Sequence, residues 1–187
     1  MRRLLALVAL LAGACGYALV GKGVTTDPSI KRIGVPLFRD RSNKPGLDQK
    51  ITQKVIEELL KRGRFDVVPQ AEGADAVVDG EIVAYVPVPV AFSDSPTTEE
   101  SPSPLPSPTG TVGETQASRY SITVIARVRY AKTGVPEPIW SNDAFEVRDE
   151  YDVGDDPSQY FDQEEQAMER LAITFARNLV AAMLEAF

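Results

Sequence analysis

RYSITVIARVRYA, residues 119–131, changes sides at nearly every residue. Tyr120, Ile122, Val124, Ala126, Val128 and Tyr130 fall on one side. Arg119, Ser121, Thr123, Arg127 and Arg129 fall on the other, with Ile125 among them. A period of two is the signature of a strand, and an apolar and a basic face on one strand mean that one side meets a core and the other meets water. That half-wet pattern belongs to an antiparallel sheet, because a parallel strand covered on both faces reads as a continuous apolar run.

Downstream, residues 132–138 read as a turn, and 139–153 as a second strand with Phe145, Val147, Tyr151 and Val153 in alternation. Upstream, residues 76–90 are rich in valine and other β-prone residues. There Gly80 is expected to mark a bulge, and Pro87 and Pro89 to put the far end at an edge or beyond the sheet. Residues 65–68 form a short strand closed by Pro69. Residues 30–38 form another, with Pro36 near its end, followed by a polar turn at 39–45.

Two stretches have helical spacing. In residues 47–62, Leu47, Ile51, Val55 and Leu59 recur every four residues, widened by Ile56 and Leu60. Gly63 supplies the C-terminal stop, and Lys61 and Arg62 suit the negative end of the dipole. In residues 158–186 the stripe is Phe161, Met168, Leu171, Phe175, Leu179 and Met183, with Asp162 and Glu165 spaced as a capping box. Consecutive strands in mid-chain exclude a doubly wound fold. The expectation is an α+β two-layer sandwich: a mixed or antiparallel sheet with both helices on the face of Tyr120, Ile122 and Val124. Arg119, Arg127 and Arg129 would lie on the opposite face.

The composition excludes much chemistry. The 187 residues contain no histidine and one cysteine. Serine–histidine and cysteine–histidine nucleophile systems, histidine metal sites, Cys-rich zinc sites and an internal disulfide are therefore ruled out. Net charge is −7 and unevenly spread. Residues 15–66 carry 11 basic and 6 acidic side chains, and residues 67–187 carry 7 and 21. Nucleic acid is not an expected partner, whereas the basic N-terminal part leaves room for a local anionic ligand. Asp152, Asp155 and Asp156 form the one tight acidic cluster. Their spacing is too short for a known calcium loop, and such Asp/Gly/Pro runs are mostly turns. No catalytic residue, metal ligand or cofactor is expected.

The N-terminus carries an address. Arg2 and Arg3 precede the unbroken apolar run of residues 4–11, and Ala12-Gly13-Ala14-Cys15 follows. The run is too short to span a bilayer and reads as a secretory signal of residues 1–14 with a small-residue cleavage site. The cysteine directly after it resembles the lipidation site of bacterial lipoproteins. Cys15 would then carry acyl chains whose buried CH2 groups each contribute about 0.8 kcal/mol to anchoring. An ordinary signal peptide with an incidental cysteine is the plainer alternative. Residues 16–23 nearly spell a phosphate-binding loop. Gly23 stands where a hydroxyl is needed, and no strand precedes it, so a nucleotide site is not expected.

Residues 15–187 read as one domain interrupted at about 93–117 by a low-complexity Pro/Ser-rich insert, with prolines at 96, 102, 104, 106 and 108. The insert reads as a disordered loop between two strands. A docking peptide for an aromatic groove is the sharper alternative.

Taken in order, several segments resemble the LptE family of lipopolysaccharide-assembly lipoproteins. They are Cys15-Gly16-Tyr17, residues 33–38 (IGVPLF), residues 59–68 (LLKRGRFDVV), residues 74–82 (ADAVVDGEI), Arg119-Tyr120 with its strand, Ile139-Trp140-Ser141-Asn142, and the late acidic helix. The resemblance implies a non-enzymatic, lipid-anchored, periplasm-facing protein of the outer membrane, a location that Gly16 after the cysteine also suggests by likeness to lipoprotein sorting. It implies a partner, the large β-barrel LptD, which the lipoprotein plugs and helps to fold, and lipopolysaccharide as ligand. Arg119, Arg127 and Arg129 are candidate contacts for its phosphates. Alternatively, they pair across strands with Asp143, Glu146 or the acidic neighbours of Arg148. Residues 33–80 also resemble outer-membrane modules related to the curli secretion channel and to activators of penicillin-binding proteins, so a peptidoglycan synthase is the competing partner.

Overall fold

The computed structural model describes residues 27–94, 115–153 and 160–185. Strand β1, Arg32–Gly34, stops short of Pro36, and β2, Arg39–Asp40, follows at once. Residues 30–38, expected as one strand, are therefore split, and the expected turn at 39–45 begins with a two-residue strand. Helix α1, Leu47–Lys61, carries its apolar stripe inward, with Leu47, Ile51, Val55 and Leu59 buried. It ends as its sequence dictates, because Gly63 adopts the left-handed φ of 64° that few other residues tolerate. Strand β3, Asp66–Val68, then returns parallel to β1, with Ile33 opposite Val67.

The long strands follow. β4, Ala76–Asp94, and β5, Thr115–Lys132, pair antiparallel from Ala76↔Lys132 to Asp94↔Thr115. Strand β6, Pro138–Asp152, pairs antiparallel with β5, and helix α2, Tyr160–Glu185, closes the described chain. The sheet order is β3-β1-β4-β5-β6, with β2 beside β4; β1 and β2 both run parallel to β4. The sheet is mixed and open, with two helices, in the α+β arrangement that the order of strands and helices along the sequence implied.

The core lies between helices and sheet. Ile122, Val124, Ala126, Val128 and Tyr130 on β5 are all at most 1% exposed, and so are Leu171, Phe175, Leu179 and Met183 on α2. Phe175 sits at the crossing, edge-on to Phe145 of β6 at 5.0 Å and to Phe38 at 6.4 Å. Thr52 on the buried stripe of α1 is satisfied locally. Its hydroxyl donates to the Asp48 carbonyl (2.7 Å) and accepts the Phe38 backbone N–H (3.0 Å), so the β1–β2 link is pinned to the helix. The helices are also cross-linked at their rims. Lys50 pairs with Glu165 (2.7 Å) and Glu169 (3.3 Å), and Lys54 pairs with Glu169 (2.7 Å).

Two local expectations change. Gly80 keeps regular register with Val128, and the bulge falls at Val83 instead. Glycine is required at 80 because the Phe38 ring lies where a Cβ would stand, 2.3–2.6 Å away. Asp162 lies inside α2, in its first turn, rather than at an N-cap. Its carboxylate still suits the positive end of the dipole there. Residues 1–26, with the signal segment and Cys15, and residues 95–114, most of the Pro/Ser-rich insert, lie outside the described residues.

Candidate functional site: the open face of the sheet

The helices cover one face of β4, β5 and β6. Among the described residues nothing lies on the other. The row Arg129, Arg127, Ile125, Thr123, Ser121, Arg119 runs along the middle of this open face on β5. Asp79 and Glu81 flank it on β4, and Glu146, Arg148, Glu150 and Asp152 on β6.

Each of the three candidate arginines already has a partner in the chain. Arg119 Nε donates to Asp152 Oδ1 at 2.6 Å, and that neighbour pushes the guanidinium pKa further up. Arg127 Nη1 donates to Glu81 Oε2 at 2.7 Å, and its Nε lies 3.6 Å from Asp143 Oδ1. Arg129 donates to the Pro136 carbonyl. The three keep their charge toward solvent, since all are exposed. Each is held rather than free, so a ligand phosphate would have to share or displace an existing acceptor.

Sequence reasoning missed the centre of this network. Glu81 is only 5% exposed although it is on the wet face. Arg127 lies against one of its oxygens. Arg41, at the end of β2, sets its Nε 2.5 Å from the other, as an ion pair without hydrogen-bond alignment. Two residues back along the same strands, Arg39 pairs with Asp79 at 3.0 Å. The signal was available: Asp79 and Glu81 alternate with Val78, Gly80 and Ile82 in a strand that is otherwise apolar. Carboxylates at that spacing imply cations across the sheet. The result is a patchwork of paired charges on which Arg39, Arg41 and Arg127 stand together.

A second polar cluster sits on the helix side. Glu164 of α2, 8% exposed, accepts a 2.6 Å hydrogen bond from the Tyr85 hydroxyl and faces Lys44 Nζ at 2.9 Å. Burial, with the Glu164 carboxylate beside it, drives the Tyr85 phenol well above its ordinary range, so the tyrosine stays a donor. The cluster fixes the start of α2 on β4, with Glu164 buried and Tyr85 and Lys44 half-buried around it. Beyond it an open cleft of about 730 Å3 runs between the end of β6 and α2, lined by Arg119, Tyr151, Asp152, Asp162, Gln166 and Arg170. Asp152 is spoken for by Arg119 here, while Asp155 and Asp156 lie outside the described residues. Among the described residues no group of three or more acidic or cysteine side chains could hold a metal ion, and no helix is long and apolar enough to cross a membrane.

The third feature of the open face is apolar. Past the bulge at Val83, β4 runs on as the outer strand beside β5 and β6 as far as Ala91, and β4 and β5 alone continue as a two-stranded arm to Asp94 and Thr115. Val86, Val88 and Val90 are 40–47% exposed and Phe92 is 60% exposed. No charged residue occurs from Ile82 to Ser93. Among the described residues the open face thus offers a charge mosaic at one end and an apolar stretch at the other.

A family model described as Lipopolysaccharide-assembly, LptE, matches residues 30–183. No curated protein matches the sequence. Among solved structures, a protein from Xanthomonas campestris is similar with a TM-score of 0.51 and 10% identity, over 86% of this chain and 90% of that one. A hypothetical protein from Chlamydia trachomatis is similar with a TM-score of 0.50 and 11% identity, over 84% and 98%. An uncharacterized lipoprotein B from Nitrosomonas europaea reaches 0.46 and 12%, over 83% and 88%. At these identities the likeness to the first two is one of fold.

Proposed function

Because the chain belongs to the LptE family of lipopolysaccharide-assembly proteins, we propose that it is a periplasm-facing lipoprotein of the outer membrane, anchored through acyl chains on Cys15. In this reading it plugs and helps assemble the β-barrel LptD, and it assists delivery of lipopolysaccharide to the outer leaflet. The observation that carries the reading is the family match, which spans both sides of the Pro/Ser-rich segment and takes in the whole sheet, the first helix and all but the last two described residues of the second. The open face supports it. A sheet with one dry and one wet side has a surface to spare for a partner, and that surface offers paired charges and an apolar arm rather than a reaction centre. The role is assembly and handling, not catalysis.

The test is purification of the tagged lipoprotein from detergent-solubilised outer membrane. A large β-barrel recovered in about equal amount is the expected result. A peptidoglycan synthase without a barrel overturns it. Replacing Cys15 with Ser is expected to release the protein from the membrane fraction. Arg119, Arg127 and Arg129 are the proposed contacts for lipopolysaccharide phosphates. Replacing all three with Ala is expected to weaken lipopolysaccharide binding about tenfold or more; Arg119 and Arg129 should change stability little, as exposed contacts worth about 0–1 kcal/mol each, whereas losing Arg127 leaves the buried Glu81 carboxylate with Arg41 alone and lowers stability. Unchanged binding would remove these arginines from the contact set.

A further inference from the structure

The arm of β4 has an edge as well as a face. Along its inner side β4 pairs with β5 throughout. Along its outer side, among the described residues, β1 pairs only with Ala76 and Val77, and β2 only with Glu81 and Ile82. Residues 83–94 therefore present an open strand edge of about 40 Å, at roughly 3.3 Å per residue. An edge of this length, uncharged from Ile82 to Ser93 and rich in valine, is the kind of template on which another chain adds a strand.

The usual protections, a lysine or an inward-pointing charge, are missing from this stretch. Two prolines stand there instead. The ladder from Ala84↔Ile125 to Pro89↔Tyr120 is continuous, so it passes straight through Pro87 and Pro89. In an antiparallel pair, alternate residues direct both N–H and C=O to the same side. A ladder that survives two prolines two residues apart needs their nitrogens on the side away from β5. Three residues of this segment then face the open edge: Tyr85, Pro87 and Pro89. Only Tyr85 retains a donor there. Bulges at Val83 and Val90 bracket the pair and interrupt the register at either end.

We propose that Pro87 and Pro89 close the outer edge of β4 against strand addition by a second copy of this chain. The arm's apolar side chains are thereby left available for contact while its backbone is not. This goes beyond the assembly role proposed above and does not depend on it, because it concerns the chain alone.

The experiment is sedimentation velocity of the full chain in detergent over a range of concentrations, with circular dichroism and thioflavin T fluorescence. The Pro87→Thr/Pro89→Thr variant restores two outward donors with β-prone but polar residues. It is expected to self-associate roughly tenfold or more tightly than the unsubstituted chain, with a gain in strand signal. Adding Val88→Lys to that variant puts a charge on the reopened edge and is expected to return it to the unsubstituted behaviour. A double variant that associates no more than the unsubstituted chain overturns the proposal. So does association that persists in the triple variant, because it would then come from lost folding rather than from the edge.

Discussion

Replacing Gly80 with Ala tests how the two halves of the sheet are locked together. The backbone there permits an L-residue, since Gly80 is not among the glycines with positive φ. A Cβ would, however, stand 2.3, 2.4 and 2.6 Å from three carbons of the Phe38 ring, where ordinary carbon contacts need about 3.5–4.0 Å. One of the two groups must move by more than an ångström. Phe38 has little freedom: it is 1% exposed, its ring meets Phe175 edge-on, and its backbone N–H is tied to Thr52. Overpacking of this kind costs about 1–3 kcal/mol, while removing a glycine from a strand returns about 0.5–1 kcal/mol. With Phe38 held this firmly the cost falls in the upper half of that range, about 2–3 kcal/mol, and the net expectation is a loss of about 1–2.5 kcal/mol.

The diagnostic is the pair. Phe38→Leu alone removes ring atoms from a filled core and is expected to cost about 1–2 kcal/mol. In the double variant the new methyl enters the space that the ring vacated. The losses should then fall short of their sum by about 1 kcal/mol, a coupling that only contacting residues show. Urea unfolding followed by circular dichroism measures all four proteins, and comparable m-values make the midpoints comparable. A Gly80→Ala protein within about 0.5 kcal/mol of the unsubstituted chain, or strictly additive losses, would refute the packing argument.

Acid should loosen the pole where Asp27 and Asp75 sit. The Ser29 backbone N–H first, then Lys132, hold Asp27 at about 2, below its ordinary 3.8, and the Arg32 and Lys31 backbone N–H groups lower Asp75. Both groups are depressed on folding, so their contribution is full above the ordinary carboxylate value and for Asp27 is lost as pH falls through about 2. Melting temperature followed from pH 6 to pH 2 should drop less steeply in Asp27→Asn and Asp75→Asn than in the unsubstituted chain, and parallel curves would count against the assignment. Tyr85→Phe leaves the buried Glu164 carboxylate with Lys44 as its remaining partner. Chemical denaturation should register a loss of about 1–2 kcal/mol, and no loss would mean that the 2.6 Å hydrogen bond carries little.

How much of the fold and of the open face is legible in the sequence depends on whether the determining contact is local. The faces of β5 are, because side-chain alternation is a property of the strand itself. Tyr120 to Tyr130 turn inward as their spacing demands, and Arg127 and Arg129 outward. The helix stripes are legible for the same reason in their centres, but not at the margins: Leu60, expected to widen the first stripe, is 53% exposed, and Phe161, expected to begin the second, is 73% exposed. β2 is not: two residues have no period, and Arg39 and Asp40 form a strand only because Glu81 and Ile82 pass beside them. The partners of the arginines are equally hidden. That Arg127 meets Glu81, and Arg119 meets Asp152, follows from the register between strands, which composition does not encode.

The valine-rich strand shows where pattern reading fails in principle. Up to Ile82, the even-numbered residues Ala76, Val78, Gly80 and Ile82 face the core. The bulge at Val83 inserts one residue and reverses the parity, so Tyr85 rather than Val86 reaches α2. Either parity would satisfy a run of residues that are nearly all apolar, and nothing in the run itself chooses. Contacts from elsewhere make the choice: the Phe38 ring over Gly80 fixes the first half, and Glu164 on Tyr85 fixes the second. Gly80 reads as a bulge because glycine in a strand has two explanations, local irregularity and close approach, and only the tertiary neighbour distinguishes them. The prolines are the opposite case. Their lack of an N–H acts locally, so Pro87 and Pro89 mark an edge by residue type alone. Residue type does not reveal that β4 keeps pairing with β5 past both of them, and that continued pairing turns a strand terminator into a guard on the outer edge.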